Sequence, residues 1–224
     1  VTHILELVTY VAFIAKENSE SFEVIVNSGH AKQLNMLIEA GKALEGNYPA
    51  EICSAPEQYR IDVKIINLVV SFIAAISNFD TLAKALREMN AQVLGRFSGD
   101  LTNLNIERIF SALVGDCSSK SLYDGACGLA RVASSLNSET LCLEEKNRST
   151  YISAYRLLAL ENKHFKLANT DSLLESNFGL DKQFDLVVME PPMAQKFSAD
   201  ERRMLVGAPF IEVLKDKPIS AAAG

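Results

Sequence analysis

The stretch FDLVVMEPPM, Phe184 to Met193, ends an apolar, strand-like run in an acid and two prolines. Proline has no N–H to give to a sheet ladder and fixes its own φ, so the strand must stop near Glu190. A carboxylate at the end of a buried strand, on an arm stiffened by Pro191 and Pro192, is an acceptor held out toward a ligand. Three more acids stand at comparable places: Asp124 before a glycine turn, Glu145 at the end of one apolar run, and Asp171 at the end of another. Such a set can recognise a polar ligand through carboxylates and exposed backbone N–H groups.

In DGACGLA, Asp124 to Ala130, Gly125 and Gly128 flank Ala126 and Cys127. Glycines there let the backbone turn sharply and approach a ligand closely, and the next helix offers its unpaired N–H groups. The same turn is common wherever a strand leads into a helix. Glu145 lies 21 residues after Asp124. An acid about 20 residues beyond a glycine loop can accept from both ribose hydroxyls of a nucleoside; alone it is equally a solvated residue at a strand end. Asp171 can accept from the exocyclic amine of a base, or it can cap the next turn. A nicotinamide dinucleotide is a competing ligand, but the chain has no G-x-G-x-x-G and that ligand leaves the double proline without a role.

The elements that must position these residues follow from the hydrophobic period. From about residue 118, short apolar runs alternate with helical stripes. Strands are expected at Ser121–Gly125, Thr140–Glu145, His164–Asp171 and Phe184–Met189. Helices are expected at about 129–136 and 149–162, the second with Ile152, Tyr155, Leu158 and Ala159 inward. Strands separated by helices predict a parallel, doubly wound α/β sheet with right-handed crossovers, and ligands bind beyond the carboxyl ends of such strands. Phe210–Leu214 reads as a helix or a fifth strand. Residues 1 to about 115 read as helices, with stripes at Ile4, Leu7, Val8 and Val11, at Leu34, Leu37 and Ile38, and at Leu82, Ala85, Leu86 and Met89. Two domains are therefore expected: residues 1–115, a helical bundle, and 116–224, a partial Rossmann-like sheet.

Bulk properties narrow the function. The 224 residues carry a net charge of −6, so the chain is not expected to grip nucleic acid alone, since phosphate contacts need clustered Lys and Arg. Four cysteines without a CxxC, and three isolated histidines, predict no metal site and a reducing, cytoplasmic setting. The most apolar segment, Ile65–Ile76, is too short to cross a bilayer, which needs about 20 residues. The chain opens without an initiator Met, as an excised piece would, and Glu6 argues against a signal peptide.

Taken together, the four motifs resemble those of the methylation subunits of type I restriction–modification systems, which are adenine-N6 DNA methyltransferases. LYDGACGLA is similar to D-P-x-C-G-x-G at Asp124, Cys127 and Gly128. EEKNRSTY is similar to Q-E-x-N-x-x-T-Y at Glu145, Asn147, Thr150 and Tyr151. TDSL is similar to G-D-S-L at Asp171, Ser172 and Leu173, and FDLVVMEPPM to F-D-x-x-x-x-N-P-P-F or Y. Order and spacing agree from about Leu122 to Met193. The resemblance implies S-adenosylmethionine as cofactor, with Asp124 through Gly128 at its methionine part, Glu145 at the ribose and Asp171 at the adenine. It also implies that a target adenine, flipped out of DNA, meets Glu190, Pro191, Pro192 and Met193. DNA would then be recognised through a separate specificity subunit, with further subunits or a second copy as partners and no membrane.

Departures from the family fall on the parts that matter most. Glu190 stands for Asn, its carboxylate one methylene further out, and a reacting group misplaced by about 1 Å can cost on the order of 100-fold in rate. Met193 stands for the aromatic residue, whose stacking is worth about 1–3 kcal/mol per base in single-strand binders. Ala130 replaces the second glycine and Gly125 the proline. These departures make a catalytically impaired binding or assembly module the alternative expectation.

Overall fold

The computed structural model describes residues 2–56, 62–98, 106–178, 183–191, 195–196, 198–207 and 222–223. In chain order come α1 (Thr2–Glu17), α2 (Ser19–Val26), α3 (His30–Lys42), α4 (Ala50–Cys53), α5 (Val63–Ala74), α6 (Phe79–Ser98) and α7 (Ile106–Val114). Then follow β1 (Ser121–Asp124), α8 (Arg131–Ser135), β2 (Thr140–Glu144), α9 (Arg148–Leu160), β3 (Phe165–Ala168) and β4 (Leu186–Val187). Last are β5 (Gln195–Lys196), α10 (Ala199–Gly207) and β6 (Ala222–Ala223). Two compact units result: Val1–Asn90 with Ile152–Lys163, and Ala91–Tyr151 with His164–Gly224. The units do not follow chain order: α7 belongs to the second unit and most of α9 to the first.

The first unit is helical, with α1 at its centre. Leu7, Tyr10, Val11, Phe13 and Ile14 are buried, as a helix apolar on nearly every side requires, and α2, α3 and α5 pack on it. Ile4, expected on the inner stripe, is exposed. Two further stripes are rotated from expectation. In α6 the buried residues are Leu82, Ala83, Leu86 and Arg87, whereas Ala85 and Met89 face outward. In α9, Leu158 is buried but Ile152, Tyr155 and Ala159 are only partly so, and Ala154, Arg156, Leu157 and Leu160 take the interior.

Arginine causes both rotations. Arg87 pairs with buried Glu161, and Arg156 donates to Ile52 O at 3.0 and 2.9 Å and to Ser54 O at 2.6 Å while lying 4.9 Å above the Tyr10 ring. A buried cation is tolerated when it is paired with a carboxylate, as Arg87 is, or donates to carbonyls, as Arg156 does, and apolar periodicity has no way to register that.

The second unit holds the sheet. Its four strands are parallel in the order β3-β2-β1-β4, with Asp124 opposite Leu143 and Glu144 opposite Ala168 in the register. Leu122, Leu141 and Leu143 are buried in it. The strand order reverses at β1, and an open sheet offers its binding crevice at such a point. The strands fall within the predicted spans but are shorter, β4 most of all. The first crossover helix starts at Arg131 rather than 129 because Gly128 and Ala130 both have φ of +56°, which no right-handed helix contains. Gln195–Lys196 pairs antiparallel with Ala222–Ala223. The Phe210–Leu214 segment lies outside the described residues. Among the described residues no helix is long and apolar enough to cross a membrane.

Candidate nucleoside-binding site

Beyond the carboxyl ends of the four strands lies a cavity of about 600 Å³, lined in part by Gly125, Ala126, Glu145, Asp171, Met189 and Pro191. They come from four different strand ends: the first two follow β1, Glu145 follows β2, Asp171 follows β3, and the last two follow β4. Of the residues expected to form a site, Gly125, Ala126, Glu145, Asp171 and Pro191 line this one hollow. Gly128 is joined to it through Glu145. Pro192 and Met193 lie outside the described residues.

The glycine loop is built to come close. A Cβ on Gly125 would stand 2.7 Å from Tyr123 Oη, 2.9 Å from Met189 Cε and 3.1 Å from Ser172 Oγ, so a side chain there would have to displace its neighbours. Ser172 Oγ donates to Gly125 O at 2.6 Å, binding the β3 loop to the β1 loop. Cys127 turns inward; its side chain is buried and its N–H donates to Glu144 O at 3.0 Å. Asp124 lies beneath the loop, 3% exposed, accepting from Ala126 N–H at 3.0 Å. Burial pushes its carboxyl up to about 7 against the relief from that hydrogen bond, and the nearby Glu145 and Glu190 carboxylates push the same way.

Glu145 holds the second loop. One oxygen accepts from Gly128 N–H at 3.0 Å and the other from Asn147 N–H at 2.6 Å. Burial raises its pKa, and the two N–H donors oppose that rise. A carboxylate has about four lone-pair directions, so two remain for hydroxyls in the cavity. The rest of EEKNRSTY is a helix start: Asn147 Oδ1 accepts from Thr150 N–H at 3.0 Å and from Thr150 Oγ1 at 3.2 Å, capping α9, and Tyr151 is buried.

Asp171 does two things at once. Its Oδ1 accepts from Leu173 N–H at 3.1 Å, which is the turn cap weighed from the sequence, and its Oδ2 meets Lys146 Nζ at 2.9 Å. Lys146 also reaches Glu201 Oε1 on α10 at 2.7 Å. Both contacts raise the Lys146 pKa, the one to Glu201 more, and Glu201 is held down to about 2, first by Lys146 and then by Ser198 N–H.

Below the cavity, fully buried Glu144 accepts from Tyr123 Oη at 2.6 Å, Ser176 Oγ at 3.0 Å and Asn177 N–H at 2.6 Å. Tyr123 stacks on Phe184 at 5.0 Å. Glu144, Tyr123 and Ser176 thus tie the loop after β3 to the sheet and were not singled out in the sequence; nor were Lys146 and Glu201. The S-x-x-E of Ser198–Glu201 is a capping-box signature that could have drawn attention to Glu201. Among the described residues no group of His, Cys, Asp and Glu is arranged to hold a metal.

A parallel sheet with an acid-lined hollow beyond its strand ends defines an α/β protein of the Rossmann-like kind, and comparison with solved structures narrows the fold. The chain is similar to the methyltransferase subunit of a type I restriction–modification system from Streptococcus thermophilus, with 19% identity and a TM-score of 0.62 over 90% of this chain and 48% of that one. It is also similar to a chain in a structure of a type I restriction–modification complex, at 14% identity and a TM-score of 0.64 over 91% and 52%. A third is a Listeria monocytogenes protein assigned to the class I S-adenosylmethionine-dependent methyltransferases, at 14% and 0.51 over 89% and 60%. At such identities the likeness is one of fold, and the fold is that of a Rossmann-like methyltransferase with a small sheet. The chain spans about half the length of the structures it matches. The Streptococcus thermophilus protein is of the kind whose motifs the sequence resembles. No protein-family model matches the sequence, and no curated protein matches it.

Proposed function

We propose that this chain is an S-adenosylmethionine-binding adenine-N6 DNA methyltransferase subunit of a type I restriction–modification system, or a fragment of one. Residues 1–115 would form its helical N-terminal domain and 116–224 its methyltransferase domain. The observation that carries the proposal is the single cavity reached by Gly125, Glu145, Asp171 and Pro191 from four strand ends. Its volume lies in the range of pockets that enclose a small molecule, about 300–1,000 Å³. The free lone pairs of Glu145 suit ribose hydroxyls, the bare backbone at Gly125 and Ala126 suits the amino-acid part, and the acids suit a cation. When bound, S-adenosylmethionine supplies the methyl group.

The chain's own residues hold and aim. Asp124 through Gly128 flank the methionine part, Glu145 the ribose and Asp171 the adenine amine. Glu190 and the Pro191 carbonyl are the acceptors for the amino group of the target base. DNA is reached with a separate specificity subunit, and four buried cysteines not joined in disulfides suit a cytoplasmic protein. Calorimetry with S-adenosylmethionine tests the reading: binding that is lost in Glu145→Ala supports it, and heat-free titrations at high protein concentration overturn it.

One observation favours a second reading, a catalytically impaired module for binding or assembly. Glu190 stands where the family carries Asn, and its charge bears on Asp124, adding repulsion where an uncharged acceptor is the family's choice. Glu190→Asn with Met193→Phe separates the two. A gain in methyl transfer to DNA supports the enzyme; no gain supports the module.

A further inference from the structure

Lys146 belongs to none of the roles above, yet it occupies the acceptor that the proposed function needs. Asp171 has two oxygens, one spent on the Leu173 N–H and the other on Lys146 Nζ. Each oxygen keeps a further lone-pair direction, so a base amine entering the cavity shares the Asp171 carboxylate with the ammonium and gains its best hold when the ammonium withdraws. The ammonium has somewhere to go. Glu201 Oε1 already holds it at 2.7 Å, and Glu201 is itself fixed by a reciprocal capping box. Its Oε2 accepts from Ser198 N–H at 2.8 Å, while its own N–H donates to Ser198 Oγ at 3.1 Å. All three partners belong to the second compact unit.

We propose that Lys146 is a positioning residue that sets the affinity of the cavity for adenine nucleosides: it occupies Asp171 when the site is empty and is drawn onto Glu201 when a base amine takes its place. This rests on the reading that Asp171 meets the adenine amine. The pair is partly exposed, with side chains 47% and 20% accessible, and exposed ion pairs contribute at most about 1 kcal/mol, so the competition is worth about fivefold in affinity. It is also screened by salt. Glu201, competing with Asp171 for one ammonium, should oppose the effect.

Calorimetric titration of the whole chain with S-adenosylmethionine and, separately, S-adenosylhomocysteine tests this. Lys146→Met binds both ligands about fivefold more tightly than wild type at low ionic strength, and the gain fades near 1 M salt. Glu201→Gln keeps an acceptor for Ser198 N–H but pulls less on Lys146, so it binds more weakly than wild type. The double variant behaves as Lys146→Met, and Lys146→Arg restores affinity close to wild type. A purely structural role for Lys146 would not produce opposite signs in the two single variants. Affinity unchanged or weakened in Lys146→Met, with wild type binding normally, overturns this inference and leaves the cofactor reading standing. A gain for the cationic ligand alone also overturns it, since that reports a change of field rather than release of Asp171. No binding by either wild type or Lys146→Met overturns both readings.

Discussion

Gly128 donates its backbone N–H to Oε2 of Glu145 at 3.0 Å, so the glycine loop after β1 and the acid after β2 are one structural unit. The sequence separates them by 17 positions; the hydrogen bond makes the shape of one loop depend on the side chain of the other. Glu145 is thereby a loop clamp as well as a candidate ribose acceptor.

That double role has a measurable consequence. Glu145→Ala leaves the Gly128 and Asn147 N–H groups without their carboxylate, and losing hydrogen bonds to a charged acceptor costs about 1.5–3 kcal/mol. Urea unfolding should show a loss of that order with no ligand present. Glu145→Gln keeps one carbonyl acceptor and should lose about half as much. Unchanged midpoints in both variants would mean that the clamp contributes nothing to the fold.

The glycine loop separates cost in space from cost in conformation. Gly125 meets neighbours within 3.1 Å of a would-be Cβ, whereas Gly128 has nothing within 4 Å but a φ of +56°. Met189 can swing away from Gly125, but Tyr123 is pinned by Phe184 and Glu144. Gly125→Ala should therefore cost about 1–3 kcal/mol through overpacking and shrink ligand affinity as the loop shifts. Gly128→Ala should cost about 1–2 kcal/mol from the left-handed backbone alone. Ala130 shares that backbone, with φ of 56°, and is fully buried. Ala130→Gly should stay within about 1 kcal/mol of wild type, relief of strain offsetting the lost methyl burial and added chain entropy. Ala130→Val, β-branched in the same conformation, should cost more than about 2 kcal/mol. Equal effects of Val and Gly at 130 would contradict the assigned backbone.

How legible this was in the sequence depended on which force governed each feature. The parallel sheet could be read because the short apolar runs at 121–124 and 140–144 are set by burial and alternate with helical stripes up to the run at 165–168. The acids at the strand ends could be read because spacing carries topology. What could not be read was governed by polar partners distant in the chain. Arg87 finds Glu161 74 positions away, and that pair rotates α6. Lys146 finds Glu201 55 positions away, and no local pattern announces a lysine that will stand across a cavity. Asp171 was readable only as a choice between ligand acceptor and turn cap, and the structure gives one oxygen to the cap and the other to Lys146.

Asp124 makes the fold itself sensitive to pH near neutrality. Burial holds its carboxyl at about 7, against an ordinary value of 3.8. Between those two values the folded chain binds more protons at this site than the unfolded chain does, so stability falls as pH rises through that window. The slope is at most about 1.4 kcal/mol per pH unit, and the full penalty persists above about pH 7. Asp124→Asn keeps an oxygen for the Ala126 N–H but cannot ionise. The variant should match wild type near pH 4 and unfold at higher urea than wild type near pH 8, the gap opening between. S-adenosylmethionine affinity should run the other way in wild type, tightening through about pH 7 as Asp124 gains the charge that attracts the ligand's ammonium, and Asp124→Asn should abolish that rise. A stability difference that stays flat with pH would show that Asp124 is already ionised throughout and that its burial is offset by its neighbours.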